Sequence, residues 1–188
     1  MTEQRPMMEW EIFPFEGDIR VKELAPPVLP EPPRSGDPGG GPCGPCARPD
    51  EHSIWVDDDW RVVASPSPRA VPFVILETRA HYDLADMPPA LSSALGAMLQ
   101  RIEAAFLATG KFGRVHVNRW GDGGAHFHIW LFARPLGNRQ MLGVFLPVWT
   151  SVLPPMDAEE WWDVLDAVGD GLAAGGGRRH LRRRQDQS

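Results

Sequence analysis

The sequence has few cysteines, no long hydrophobic run and little basic charge. No stretch of about 18 uninterrupted apolar residues occurs among the 188 residues, so the sequence predicts no transmembrane helix. The first residues lack a basic start followed by an apolar block, and we therefore expect a cytoplasmic protein. Hydrophobic residues make up 43% of the chain, which is enough for a packed core and excludes a wholly disordered protein.

Basic charge is scarce except at the C-terminus. Residues 178–188 hold five arginines and one aspartate, whereas the rest of the chain carries 14 basic and 24 acidic side chains. A body with such an excess of negative charge should not bind nucleic acid nonspecifically, so we expect neither a nucleic-acid nor a membrane partner. The basic tail has no apolar periodicity, which predicts a disordered end.

Proline is concentrated at the start of the chain. Eleven of the 20 prolines lie in the first 50 residues, and the segment APPVLPEPPRSGDPGGGP (25–42) cannot maintain a helix or a central strand. Residues 1–42 are therefore predicted to be an arm and linker, in which residues 8–24 carry enough apolar side chains for an edge strand or two. The folded domain is predicted to span residues 43–177, and the tail residues 178–188.

The middle of the chain alternates predicted strands with one long helix. The patterns predict five strands and two helices: two strands in 53–66, one in 70–81, one in 111–120 and one in 125–133, with helices over 90–109 and from 158 to about 174. Gly110 ends the first helix, and Asp157 with Glu160 forms a capping box for the second. This order predicts an α+β fold, an antiparallel sheet with flanking helices.

Two histidines stand two residues apart in GDGGAHFHIWLF (121–132), directly after a glycine-rich turn. Because side chains alternate along a strand, His126, His128 and Trp130 share one face. A single histidine in a strand is most often half-buried and satisfied by its neighbours. Two on one face, in a chain that also has a C-x-x-C motif, indicate a site.

The two cysteines, Cys43 and Cys46, form the sequence CGPC. This is also the redox motif of thioredoxins, whose cysteines lie at the start of a helix that follows a hydrophobic strand. The flanks GDPGGGP and ARPDEH provide neither element, whereas a glycine- and proline-rich loop can wrap two thiolates around a metal ion. We therefore interpret the motif as half of a structural zinc site, which requires two further nitrogen or sulfur ligands.

The six histidines are the candidates for these two ligands, and their positions in the sequence indicate which of them can reach the metal. The candidates are His52, His81, His116, His126, His128 and His180. His180 lies in the tail and His52 in a polar segment. His81 ends a predicted strand and His126 begins one, so both can present imidazoles at the rim of the sheet. His128 then remains free, and His116 is interpreted as structural.

Taken together, these motifs resemble the histidine triad (HIT-like) superfamily of nucleotide hydrolases and transferases. The resemblance covers about residues 43–143. It rests on the order of the C-x-x-C, SIWVDDDWRVVAS, PFVILETRAH, the long helix, VHVN, the glycine turn, HFHIWLF and GNRQM. It implies a nucleotide or nucleotide conjugate as ligand and, because the family is commonly homodimeric, a homodimer.

The resemblance also implies a role for individual residues. Cys43, Cys46, His81 and His126 correspond to the zinc ligands of some members, and His128 to the nucleophile that attacks the α-phosphate and forms a nucleotidyl-histidine. The substrate-binding positions implied are Asn118, which would contact phosphate or ribose, the backbone N–H groups of Gly123 and Gly124, and Trp130. By this interpretation the protein is a nucleotidyl hydrolase or transferase with structural zinc.

Two departures from the family pattern favour an alternative. Trp130 occupies the third triad position, where an indole can donate a hydrogen bond but cannot transfer a proton. The glycine turn is short and lacks the glutamine and hydroxyl residues that usually help hold phosphate. The alternative is a non-catalytic, zinc-stabilised module that binds nucleotide or protein through Trp130 and neighbouring aromatic residues.

Overall fold

Alternating apolar residues in the middle of the chain build one antiparallel sheet. The computed structural model describes residues 6–180, and within them the sheet has six strands in the order β4-β5-β3-β2-β1-β6. The strands are β1 (Trp55–Val56), β2 (Trp60–Ala64), β3 (Phe73–Thr78), β4 (Phe112–Asn118), β5 (His128–Pro135) and β6 (Arg178–Arg179). The expected α+β class is confirmed.

Four α-helical segments accompany this sheet in the described residues. They are α1 (Gly44–Ala47), α2 (Pro89–Ala108), α3 (Phe145–Val152) and α4 (Ala158–Ala173). Helix α2 begins with Pro89, whose missing N–H costs nothing in a first turn, and the chain leaves it through Gly110 at φ +71°. The Asp157 carboxylate accepts hydrogen bonds from the backbone N–H groups of Glu159 and Glu160, which confirms the predicted N-cap of α4.

One face of the sheet packs against the helices and the other carries the predicted site residues. Leu76 on β3 and Leu131 on β5 are fully buried and belong to the hydrophobic core that also includes Phe106 of α2 and Leu165 of α4. Residues opposite each other in an antiparallel pair share a face, and Glu77 pairs with His128 while Ile75 and Asn118 pair with Trp130. The face away from α2 and α4 therefore displays the predicted site residues.

The N-terminal arm packs through side chains rather than as a strand. The edge strand expected in residues 8–24 is absent, because Pro14 and Gly17 (φ +90°) interrupt the segment. Instead Phe13 meets Phe145 edge to face at 5.3 Å, and the Trp149 indole donates to the Ile12 carbonyl at 2.9 Å. Both partners lie on α3, a helix that the sequence analysis did not predict.

Three boundaries also differ from the expectations. The tail was expected to be disordered from residue 178, but Arg178 and Arg179 pair with β1, and Arg179 forms an ion pair with Asp166 at 2.8 Å. Residues 181–188 lie outside the described residues. Strand β3 ends three residues before His81, and β5 begins at His128 rather than at His126.

No helix within residues 6–180 has both the length and the apolar character needed to cross a membrane.

Candidate functional site

Four side chains from three separate segments converge at one end of the sheet. Cys43 is the N-cap of α1 and Cys46 lies within it, His81 follows β3 and His126 precedes β5. The Cys43 and Cys46 Sγ atoms each lie 3.4 Å from His126 Nδ1, and Cys46 Sγ lies 3.3 Å from His81 Nδ1. All four donor atoms lie within 4.8 Å of one another, so one ion can contact all of them.

The His126 ring is fixed so that one nitrogen faces the thiols. The ring is 1% exposed, and its Nε2 lies 2.7 Å from the Thr78 carbonyl oxygen, to which it donates. The other nitrogen, Nδ1, is left with its lone pair directed at the sulfur atoms. Burial lowers the pKa of His126 below its usual value, an effect partly opposed by the Thr78 hydrogen bond, so the neutral form that binds metals is favoured at pH 7.

The chemistry of the donors matches zinc. Two sulfurs and two imidazole nitrogens are a donor set of tetrahedral structural zinc sites. Burial, together with the adjacent Cys43, raises the pKa of Cys46 to about 11, so a bound cation is what would stabilise its thiolate form. The four predicted ligands thus form a Cys2His2 site for structural zinc. Cys43 lies at the N-cap of the four-residue helix α1, which the sequence flanks did not predict. Within residues 6–43, however, no strand precedes this helix, so the strand-then-helix arrangement of thioredoxins is not present.

A buried ion cluster holds the cysteine loop against the sheet independently of the metal. Arg61 on β2 is 3% exposed and donates to the carbonyl oxygens of Arg48 at 2.7 Å and Pro45 at 3.0 Å. The carboxylate of Glu77, also 3% exposed, forms an ion pair with the Arg48 side chain and lies 3.7 Å from Arg61 Nε. Sequence analysis missed this cluster because its members come from three segments that no motif connects.

A cavity of about 370 Å³ adjoins the four metal ligands. His128 and Trp130 from β5 and Ile75 and Glu77 from β3 lie on the sheet side of it. The remaining lining residues come from the cysteine loop, the glycine turn and the arm: Ser35, Pro42, Gly44, Pro45, Gly123, Gly124 and His126. The cavity therefore gathers four of the predicted ligand-contacting residues, namely Gly123, Gly124, His128 and Trp130.

His128 has one ring nitrogen engaged and the other available. Its Nδ1 lies 2.8 Å from the backbone carbonyl of His126. Because a carbonyl only accepts, Nδ1 carries the proton and Nε2 keeps its lone pair. The metal ligand His126 thus also sets the tautomer of His128, through its main chain.

Trp130 belongs to a cluster of aromatic rings on the same face. Its ring is 5.2 Å from that of Phe73, nearly parallel to that of Phe132 at 6.0 Å, and 6.2 Å from that of Trp120. Trp120 is 45% exposed. Position 130 therefore carries a ring held by packing on three sides, whose indole N–H can donate a hydrogen bond but cannot transfer a proton.

Asn118 is the one predicted ligand-contacting residue, apart from the metal ligands, that does not line this cavity. It pairs with Trp130 from the edge strand β4, and its side-chain amide lies 3.4 Å from the His116 carbonyl. Asn118 lies on the same face of the sheet as His128. Its strand, β4, is separated by β5 from β3, the strand that carries the cavity residue Glu77.

The arm closes over the glycine turn through residues 34–42. The Arg34 guanidinium donates to Asp83 at 2.8 Å, to the Gly121 carbonyl at 3.0 Å and to Asp37 at 3.0 Å. Hydrogen bonding from Arg34 lowers the pKa of Asp37, so this contact is present at neutral pH and is lost only as the pH falls through that lowered value. Gly36 has φ +93°, and an added Cβ would lie 2.9 Å from the His81 ring, so only glycine fits there.

We expect Asp83→Asn to release this segment. Asp83 accepts from Arg34 and, at 2.5 Å, from Arg119, and neutralising it removes both ion pairs. Trypsin cleavage after Arg34, followed by mass spectrometry at neutral pH, should become about five- to tenfold faster, the effect of losing a charge-assisted hydrogen bond. Asp58→Asn, in the turn between β1 and β2, is the control. Equal cleavage rates in the two variants would show that Asp83 does not anchor the arm.

Comparison with known proteins agrees with this arrangement at the level of the fold. No protein-family model and no curated protein matches the sequence. Among solved structures, a histidine triad protein from Bradyrhizobium japonicum is 20% identical, the match covering 63% of this chain and 88% of that one with a TM-score of 0.51. One from Marinobacter aquaeolei VT8 is 19% identical, covering 66% and 89%, with a TM-score of 0.51. One from Sinorhizobium meliloti 1021 is 20% identical, covering 63% and 87%, with a TM-score of 0.50.

Fold and site together define an α+β protein of the histidine triad fold that carries a Cys2His2 zinc site. The expected histidine triad architecture is thereby confirmed, and the four predicted metal ligands lie together in one cluster. Sequence identities of about a fifth show the fold alone, so the activity is argued from the residues of the cavity.

Proposed function

We propose that the protein binds a nucleotide in the cavity and that His128 accepts the nucleotidyl group covalently. The observation that carries this proposal is the hydrogen bond from His128 Nδ1 to the His126 carbonyl. It leaves Nε2, the nucleophilic nitrogen of a neutral imidazole, on a side chain that lines the cavity. The histidine triad fold supports the proposal by placing this residue on the same face of the sheet as its neighbours in the triad.

The reaction has two displacements at phosphorus. In the first, the Nε2 lone pair attacks the α-phosphorus, an N–P bond forms and the P–O or P–N bond to the leaving group breaks. In the second, water or another acceptor attacks phosphorus and the N–P bond breaks. Its electron pair returns to Nε2, which makes the imidazole neutral again, and the proton of the acceptor passes to solvent. Bound zinc would fix the Cys43–Cys46 loop and the His126 ring, and so keep β5 in register.

Trp130 limits which leaving groups can depart. Its indole N–H can stabilise a leaving oxygen by one hydrogen bond but cannot protonate it. We therefore propose that substrates carry a group that departs readily as an anion, such as a nucleoside or sugar phosphate. Unactivated phosphoramidates should be poor substrates.

A trapping experiment tests the proposal. Protein with measured zinc content is incubated with dinucleoside polyphosphates, sugar nucleotides and nucleoside phosphoramidates, and quenched in alkaline denaturant, since phosphohistidine-type N–P bonds hydrolyse in acid. Intact mass spectrometry should show one added nucleotidyl group per chain. Nucleotide binding measured by calorimetry, with neither an adduct nor turnover, would contradict the covalent mechanism.

That contrary outcome would support the second candidate, a non-catalytic binding module. The observation in its favour is the aromatic cluster of Trp120, Trp130, Phe132 and Phe73, which offers a stacking surface where an enzyme would hold a third histidine. Quenching of tryptophan fluorescence by ligand, lost in Trp130→Leu without loss of zinc, is expected for this candidate. A covalent adduct eliminates it.

Other expectations stay predictions. Free thiols at a metal site suit a reducing compartment, which agrees with the proposed cytoplasmic location. The homodimer and the absence of a nucleic-acid partner are expected from the family resemblance and from the negative charge of the chain.

A further inference from the structure

We propose that the N-terminal arm completes the nucleotide site and that the Ser35 hydroxyl donates a hydrogen bond to the substrate phosphate. This inference rests on the proposed function and names a binding residue that lies outside the triad region. Ser35 lines the same cavity as His128, although 93 positions separate them in the sequence.

The main chain fixes Ser35 beside the glycine turn. Its carbonyl accepts from the Ala125 N–H at 2.9 Å, and Ser35 forms a parallel bridge with Gly124. Residues on either side are also held: Arg34 by Asp83 and the Gly121 carbonyl, and Gly36 by a hydrogen bond from its N–H to the Gly41 carbonyl at 2.8 Å. The side chain of Ser35 is therefore presented from a fixed backbone.

The Ser35 hydroxyl is available for a hydrogen bond to a ligand. Ser35 is exposed, and within the described part of the chain no protein group is hydrogen-bonded to its Oγ. A hydroxyl can rotate its proton toward any acceptor within reach. In a cavity that adjoins a nucleophilic histidine, the acceptor expected is a phosphate oxygen.

The cavity also lacks other side chains that could bind phosphate. Its lining residues include no lysine or arginine, and its one carboxylate, Glu77, forms an ion pair with Arg48. The turn from Gly121 to Ala125 contributes no hydroxyl, because its single polar side chain is the carboxylate of Asp122. Neutral donors must then hold the phosphate: backbone N–H groups of the turn and the Ser35 hydroxyl.

This arrangement defines the preferred charge of the ligand. A site built from neutral donors, with no cation among its lining residues, leaves the second charge of a phosphomonoester dianion uncompensated and favours a bridging phosphate with a single negative charge. The ligand class is therefore a nucleotide conjugate or dinucleotide rather than a free nucleoside monophosphate. Monophosphates remain useful probes because they contain the same oxygens.

Calorimetry on zinc-loaded protein tests the role of Ser35. The probes are AMP, GMP, CMP and UMP, each paired with its nucleoside, and UDP-glucose and diadenosine tetraphosphate as singly charged bridging phosphates. Ser35→Ala should weaken binding of every phosphate-containing probe about tenfold and leave nucleoside binding unchanged. Ser35→Thr should restore most of the affinity. Ser92→Ala, which removes an exposed hydroxyl on α2, should change nothing.

Each result that contradicts the expected role of Ser35 has one interpretation. Unchanged affinity of Ser35→Ala for phosphates that the wild type binds overturns the role of Ser35 and leaves the proposed function intact. Equal weakening toward nucleosides and nucleotides also overturns it, because the side chain would then act on the fold of the arm. If the wild type binds none of the probes, the proposed function fails, and this inference with it.

Discussion

His128→Ala should abolish nucleotidyl transfer while leaving zinc and fold intact. In the proposed mechanism His128 contributes the nucleophilic Nε2, and no other imidazole nitrogen among the lining residues is available, since His126 Nε2 donates to Thr78 and its Nδ1 faces the thiols. Loss of a nucleophile that acts as part of a unit lowers turnover by at least about 1000-fold. The covalent adduct should disappear from the mass spectrum, with one zinc per chain still present.

Two further variants make this result specific. His128→Asn keeps a side-chain donor for the His126 carbonyl but has no nucleophilic nitrogen, so it should also be inactive. His116→Gln, on the neighbouring edge strand, removes another half-buried histidine of the same face and should retain activity. An adduct that persists in both His128 variants would locate the nucleophile elsewhere and refute the mechanism.

The second large effect concerns the metal. Changing Cys43 and Cys46 together to serine should reduce zinc from about one ion per chain to none, because two imidazoles alone cannot complete a tetrahedral site. A structural zinc site contributes several kcal/mol even within a larger domain, so the melting temperature should fall by roughly 10 °C. Elemental analysis and thermal unfolding measure both effects, and a strong chelator should reproduce them in the wild type.

We expect the domain core to survive this loss. The sheet is packed on α2 and α4 far from the cysteines, and Arg61 still binds the loop through the carbonyls of Pro45 and Arg48. His52→Ala is the matched control, since His52 is an exposed histidine close to the loop and outside the four-ligand cluster. Full zinc content in the double cysteine variant would show that the four residues are not the ligands.

The sequence alone predicted those features for which the chemistry of the residues and the periodicity of a strand or helix indicate the same structure. The C-x-x-C motif, the pair of histidines on one strand face and the end of the ETRAH segment predicted all four zinc ligands, because thiolates and imidazoles in such patterns have few other uses. Apolar alternation likewise predicted β2, β3 and β4 and the long helix α2. The sequence placed the end of β3 and the start of β5 too close to the ligands. In the structure the Phe127 N–H bonds to the Tyr82 carbonyl instead of to a neighbouring strand, so the regular pairing begins only at His128.

The missed features all depend on contacts between distant segments. Helix α3 has the composition of a strand, with Phe145, Val148 and Val152, and its Pro147 is tolerated because it lies in the first helical turn. Ser35 in a proline- and glycine-rich segment has no periodicity that would distinguish it from a linker. Its position beside the cavity depends on Ala125, whose N–H needs an acceptor once the glycine turn has left the sheet and finds it in the Ser35 carbonyl.

His126 links the metal ligands to His128, so His128 depends on the metal site more than the metal site depends on His128. His126 binds the metal through its ring and sets the proton of His128 through its carbonyl. Damage to the metal centre must therefore spread to the nucleophile, whereas changes at His128 or Trp130 need not affect the metal. The side chain at position 130 can therefore differ without disturbing the four metal ligands, whereas a change at His126 alters both parts of the site at once.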